Sequence, residues 1–541
     1  MQIALLIIYG LLLLFIFFYS LIQTNLVYNY LRFHKKKEDN SSEEIDVTKT
    51  NVPFVTIQLP IYNEKYVIER LIDAVSNFTY PKESFEIQVL DDSTDETVEI
   101  AATKIKEIRE KGIQIHHVRR TQREGYKAGA LAEGLKMAKG EFIAIFDADF
   151  IPSKDFLLKT TPNFEDENIG VVQTRWAHIN KDYSLLTKLQ AFGLDAHFSV
   201  EQTGRNAGGH FINFNGTAGI WRKKCIIDAG GWQSDTLTED LDLSYRAQLK
   251  GWKFKYLENV GSPAELPATM NALKTQQFRW TKGAAECARK NLWSVLKSNN
   301  IAFSTKIHAL FHLMNSFLFI CIIMTSILSV PLLLIKNNFA DYANLFKYGG
   351  FFLVSLLLLS VFYWVSYSKE GENKIKAACH FMIKFPMFLS ISMGLSLHNA
   401  IAVAEGYIGK KTPFIRTPKF NITNNDDQWK GNKYLTSSLN LLTLLEGLLT
   451  FYFLTGIFLS FYFKDYGLLP FFFMLSMGFG LVFYYSIYHS HLSGLSFRQA
   501  GGQLKSIDNN IKPLNLSAVR MSVSADSTEA SLKSVRQGIK H

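Results

Sequence analysis

Stretches of about 20 residues without a formal charge recur along this chain, and they match the thickness of a bilayer core. Residues 3–22 carry none, and after position 300 uncharged runs cover 307–335, 348–368, 385–404, 434–445, 447–463 and 466–497. A chain patterned this way is a membrane protein, and its 541 residues exceed one ordinary domain. Charged residues make up 20% and aromatic residues 14%, which excludes disorder for most of the length. The net charge of +10 sits at the ends of apolar segments, where membrane proteins use it, so no nucleic-acid partner is expected. The four cysteines form no CxxC, which argues against a zinc ribbon or a disulfide framework.

The basic residues set the topology. Arg32, His34, Lys35, Lys36 and Lys37 follow the first apolar run, the reverse of a cleaved signal peptide. Lys369, Lys374, Lys376 and Lys384 precede 385–404, and Lys410, Lys411, Arg416, Lys419, Lys430 and Lys433 follow it. Both flanks favour the cytosol, so that run is predicted to lie in the interface. Spans are expected near 3–22, 307–335, 348–368, 437–463 and 467–489. The domain plan is an N-terminal helix at 1–30, a linker at 31–50, a cytosolic domain at 51–300 and two spans within 301–368. An interface helix and loop at 369–434, two spans at 435–489 and a flexible cytosolic tail at 490–541 complete it. The expected product is an integral protein of the inner or plasma membrane, in contact with lipid, with catalytic domain and C-terminus in the cytosol. Glu446 interrupts an uncharged span, which predicts a polar path or a partner beside it.

Between the first and second spans, strand-like and helix-like runs alternate. Phe54 to Leu59, Phe85 to Leu90, Ile113 to Val118 and Glu141 to Phe146 read as strands, with helices over 65–78, 95–111 and 127–139. That alternation implies a mostly parallel sheet, whose ligands bind beyond the carboxyl ends of the strands. Two strands end in acidic pairs, Asp91-Asp92 and Asp147-Ala148-Asp149. No GxGxxG follows a strand and no GxxxxGK[ST] is present, so an anionic nucleotide needs other neutralisation. Asp147 and Asp149, two apart at a strand end, suit Mg²⁺ or Mn²⁺ with substrate phosphates filling other positions.

The motifs QLPIYNE (58–64), QVLDDSTD (88–95), GYKAGAL (125–131), FDAD (146–149), FNGTAG (214–219), TED (238–240) and QQFRW (276–280) occur in that order. As a set they resemble the processive glycosyltransferases of family 2, in the cellulose synthase superfamily, and most closely its mannan and glucomannan synthase branch. The resemblance implies a glycosyltransferase A-type α/β domain plus an all-α transmembrane region of about five helices. It implies an inverting, metal-dependent hexosyltransferase that extends a growing polysaccharide acceptor from a nucleotide-sugar donor, GDP-mannose or UDP-glucose, and exports the chain. Asp91 and Asp92 would bind base and ribose, and Lys127 and Arg279 the diphosphate. Asp240 would be the general base, with Glu239 its rival. Trp280 would stack on the acceptor sugar, with Gln276, Glu239 and Asn215 nearby. TPFIRTPKF (412–420) resembles the family's FxVTxK gating loop, with Thr417 and Lys419 directed to the diphosphate and Arg416 in place of valine. Two alternatives stay open: a non-processive transferase acting on ceramide or a polyprenyl phosphate, and an inactive scaffold or transport subunit.

Overall fold

The computed structural model describes residues 2–39, 52–339, 353–368, 373–424, 426–429, 432–435 and 440–508. The water-exposed domain is built on one seven-stranded sheet: β1 (Val55–Ile61), β2 (Phe85–Asp91), β3 (Ile115–Arg119), β4 (Phe142–Ile145), β5 (Ile169–His178), β6 (Gly219–Arg222) and β7 (Lys253–Ala264). The strand order is β3-β2-β1-β4-β6-β5-β7. β1 lies between β2 and β4 and pairs in parallel with both; β6 runs antiparallel to β4 and β5. The first four strands and the helices Ile68–Ser76, Thr97–Glu110 and Tyr126–Met137 fall where the sequence places them.

Helices cover both faces, as a parallel core requires. Val55, Ile57 and Leu59 are buried among Leu71, Ile72, Phe85 and Phe156. The opposite face of β1 carries Thr56 and Gln58, and these are paired rather than orphaned: Thr56 Oγ1 donates to Glu86 Oε1 (2.8 Å) and Gln58 Nε2 to Gln88 Oε1 (3.0 Å). Such buried polar groups are tolerated only when bonded. Because β2 and β4 flank β1 in parallel, their acidic tips emerge at one rim of the sheet.

Among the described residues, five helices qualify by length and composition to cross a membrane: Gln2–Lys35, Phe317–Asn338, Lys374–Gly394, Leu441–Tyr462 and Leu469–Ser490. The number matches expectation but the membership differs. The described part of the expected 348–368 span is Leu353–Tyr367, only 15 residues. The expected interface helix at 385–404 is instead two helices, Lys374–Gly394 and Ser396–Ile408, broken at Leu395. The first helix continues to Asp39, so the linker does not begin at 31; residues 40–51 lie outside the described residues. The last helix runs to Asp508, past the expected start of the tail at 490, and 509–541 lie outside the described residues. Glu446 has its partner: Lys274 Nζ lies 2.7 Å from Glu446 Oε2 and donates to Ser486 Oγ at 2.9 Å.

Candidate active site

A cleft of about 180 Å³ opens at the rim where β1, β2 and β4 end. It is lined by Asp92, Lys127, Asp147, Asp149, Asn215, Glu239, Asp240, Gln276, Arg279, Trp280, Thr417 and Lys419, which is every expected site residue except Asp91. Asp91 is buried in the sheet, where its carboxylate accepts from the Ser93 backbone N–H (2.8 Å) and bonds His117 Nε2 (2.8 Å). It braces the turn after β2 and, unlike the other expected site residues, does not line the cleft. Asp92 lines the cleft, but both its oxygens are held in the fork of Arg120, by Nε at 3.0 Å and Nη2 at 2.5 Å.

The DxD pair projects from the turn after β4. Asp147 N–H donates to Thr217 Oγ1 (2.8 Å), and Asp147 Oδ1 receives Lys127 Nζ at 2.5 Å. Lys127 also donates to the Gly216 carbonyl at 2.9 Å. Asp149 Oδ2 receives Lys419 Nζ at 2.6 Å. Each carboxylate thus has an ammonium as counter-ion, so the site is built to sit against positive charge. Among the described residues no cluster of three or more His, Cys, Asp or Glu gathers as a metal site. Two hard oxygen donors with positions left for phosphate and water fit Mg²⁺ or Mn²⁺.

Glu239 and Asp240 open the helix Glu239–Leu249. The Thr238 side chain does not cap it, so the TED motif is not simply a helix cap. Gly216 brings its backbone against Asp240 with φ of +79°; a β-carbon there would lie 3.0 Å from Asp240 Oδ2. Burial first, then the neighbouring Glu239 charge, push the Asp240 carboxyl up to about 7, while Lys127 opposes the rise. Glu239 is also raised, chiefly by burial. Burial alone would lower the Lys127 ammonium, but Asp147, Glu239 and Asp240 outweigh it and raise it.

Gln276, Arg279 and Trp280 occupy one face of the helix Met270–Lys297, at the i, i+3, i+4 spacing that aligns side chains. Trp280 approaches Trp176 of β5 (centroids 6.4 Å), and Trp176 stacks on Phe198 at 4.8 Å. This apolar wall is suited to a sugar face. Trp176 escaped the sequence reading because β5 did. Asn215 Oδ1 accepts from Gln202 (3.1 Å) and Asn213 (2.8 Å), leaving its buried Nδ2 unpartnered.

The loop at 412–420 is docked over the cleft. Phe414 stacks with Tyr126 (5.8 Å) and lies beneath the Arg279 guanidinium (4.6 Å). Arg279 Nη2 donates to Thr417 Oγ1 at 3.2 Å. Arg416 is no idle departure from the family pattern: its Nη1 lies 2.5 Å from Glu64 Oε2 at the tip of β1, and its guanidinium covers Tyr434 at 4.4 Å. Glu265 closes the loop's far end, accepting the backbone N–H groups of Phe420 (2.8 Å) and Asn421 (3.0 Å). Burial raises Glu64 to about 7 against the pull of Arg416.

A sheet of this order with acidic pairs, a basic loop and a QxxRW helix around one cleft defines a glycosyltransferase A-type domain joined to a membrane region. The chain matches the profile of Glycosyl transferase family 2 over residues 56–226 and that of Glycosyl transferase family group 2 over residues 142–368. It is 34% identical over 400 residues to glucomannan 4-beta-mannosyltransferase 9 of Arabidopsis thaliana, covering 71% of this chain and 70% of that one. It is 42% identical over 293 residues to a probable glucomannan 4-beta-mannosyltransferase 4 of Oryza sativa subsp. japonica, covering 52% of this chain but only 53% of that relative. A mannosyltransferase from Pyrobaculum calidifontis, solved with GDP-Man and Mn²⁺, superposes with a TM-score of 0.44 at 17% identity, covering 73% of this chain and 100% of that one. The chain belongs to glycosyltransferase family 2, in its mannan synthase-like branch.

Proposed function

We propose that the protein is a membrane-embedded, processive, inverting β-glycosyltransferase that transfers mannose from GDP-mannose to a growing polysaccharide and passes the product across the bilayer. One observation carries the reading: the cations Lys127, Arg279 and Lys419 converge with the DxD pair and the raised carboxyl of Asp240 in one cleft beneath a docked loop. The relatives named as mannosyltransferases favour mannose over glucose.

Asp147 and Asp149 would hold a divalent cation, which when bound offsets charge on the departing diphosphate. Lys127, Arg279 and Lys419 then neutralise the remaining phosphate charge, and Thr417 ties the loop to Arg279. The acceptor hydroxyl lies between the Trp280–Trp176 wall and Asp240. Its oxygen attacks the anomeric carbon, its proton goes to Asp240, and the bond from that carbon to the diphosphate oxygen breaks, releasing the nucleoside diphosphate. A single displacement inverts the anomeric centre. Near pH 7 a carboxyl raised to about 7 is both ionised in part and basic enough to take a proton.

Ser355 and Asn399 support export: both are buried in the membrane half, with side-chain polar atoms that have no hydrogen-bond partner among the described residues. A chain of sugar hydroxyls would satisfy them. Lys374, Lys376 and Lys384 lie in the first half of Lys374–Gly394, and Lys410 and Lys411 follow Ser396–Ile408, so both ends of this helix pair face the cytosol in this account. Radiolabelled GDP-mannose and UDP-glucose supplied to the purified protein in nanodiscs test the proposal. A long β-mannanase-sensitive product is expected; a short glycolipid supports a lipid transferase instead, and no product from either donor supports the scaffold.

A further inference from the structure

The end of the cleft beside Asp92 holds a feature the motifs do not account for. The Arg123 guanidinium lies 3.4 Å from the ring centroid of Tyr62 and 4.9 Å from that of Tyr126. Its side chain makes no hydrogen bond or ion pair among the described residues, and its Nε is buried without a partner. It lines the same cleft as Asp92. Tyr126 is fixed beneath it by two successive left-handed residues, Gly125 (φ 68°) and Tyr126 (φ 50°). The stack continues through Phe414 of the docked loop to Arg279. A cationic fork is thereby held flat on aromatic rings with its donors unspent.

The contrast with its neighbours decides what it reads. Asp91 is used by Ser93 and His117, and both oxygens of Asp92 are used by Arg120. Beside these engaged carboxylates, the Arg123 donors have no hydrogen-bond partner among the described residues. A guanidinium fork is satisfied by two adjacent acceptors on one edge. Guanine offers O6 and N7 side by side, adenine pairs N7 with a donor amino group, and a uracil-type ring offers a lone O4 on that side. We propose that Arg123, packed on Tyr62 and Tyr126, determines donor specificity by taking the O6 and N7 acceptors of a guanine base. The inference rests on the cleft being the donor site, and it assigns the discrimination between guanosine and uridine donors to one residue outside the family motifs.

The test is nucleotide binding to the full-length protein in nanodiscs with Mn²⁺, using GDP, 7-deaza-GDP (which lacks the N7 acceptor) and UDP. The wild-type protein binds GDP about tenfold more tightly than 7-deaza-GDP or UDP. In Arg123→Ala the preference for GDP over 7-deaza-GDP collapses to near unity while UDP affinity changes little. Arg123→Lys keeps the charge but not the fork, and falls between. Because the readout is a ratio within one sample, a partly unfolded variant still reports it. Equal GDP to 7-deaza-GDP ratios in wild type and Arg123→Ala, or equal wild-type affinity for GDP and UDP, overturn the inference alone. Failure of every nucleotide to bind wild type overturns the donor-site reading and the inference with it.

Discussion

Replacing Asp240 by Asn removes the proton acceptor while keeping the size and most of the polarity of the side chain. Loss of a positioned general base costs about 10²–10⁴-fold in rate. The expected result is that fall in kcat, with donor affinity within about threefold of wild type, because Lys127, Lys419 and Arg279 hydrogen-bond Asp147, Asp149 and Thr417 and not Asp240. The pH profile carries the sharper expectation. The carboxyl is raised to about 7, and it acts as a base only when ionised. Activity should rise with pH through about 7, and at one unit below only about a tenth of the protein is competent. Glu239 is the second cause of the elevation, so Glu239→Gln should move this limb to lower pH, by about one unit for a like charge in contact. Lys127 opposes the elevation, so Lys127→Met should move the limb upward while also weakening donor binding. Initial rates with labelled donor from pH 5 to 9 measure all four proteins. A wild-type limb near 4, or Asp240→Asn with more than a tenth of wild-type turnover, would refute the assignment.

Excess chelator should stop transfer, with Mn²⁺ or Mg²⁺ restoring it; Asp149→Asn should raise the metal concentration needed for half-maximal rate about tenfold or more, and activity undiminished in chelator would remove Asp147 and Asp149 from that role. Arg416→Val, which restores the family pattern, leaves buried Glu64 without its cation. Glu64 then takes a proton more readily, so the rise in donor KM should be small below pH 7 and largest above it, with Glu64→Gln relieving the pH dependence in the double variant. Lys274→Ala strands Glu446 in the membrane half and should cost on the order of 3–5 kcal/mol, seen as a lowered Tm in detergent, whereas Lys274→Met with Glu446→Leu should recover most of it.

The gathering of the motif residues in one cleft was legible in the sequence. Asp92, Lys127, Asp147, Asp149, Asp240, Arg279 and Trp280 stand on motifs whose order in the chain implies a common cleft, and they meet there. The first four strands were readable because each is a short apolar run between helical patterns. β5 to β7 were not: β6 is four residues long, and β5 and β7 pair although helices, loops and β6 itself lie between them in the chain. Register of that kind depends on the whole sheet and not on local pattern. Asp91 and Asp92 look alike in sequence, and only their neighbours His117 and Arg120 show that both carboxylates are already engaged. The loop's Thr417 and Lys419 could be found from the pattern, while Arg416, Glu64 and Glu265 needed the contacts. Charge flanks fixed the apolar segments in general, but not where the helices break, since Leu395 carries no breaking residue of its own.

The central claim is that transfer occurs in this one cleft, between the DxD pair and the Trp280 wall. A cryo-EM structure of the protein with GDP-mannose carrying a non-transferable linkage and a short β-mannan acceptor tests it directly. The account predicts the diphosphate among Lys127, Arg279 and Lys419, and the terminal acceptor hydroxyl within about 3–3.5 Å of the anomeric carbon and in hydrogen-bond reach of Asp240. A donor bound elsewhere, or an acceptor hydroxyl out of reach of Asp240, would contradict it.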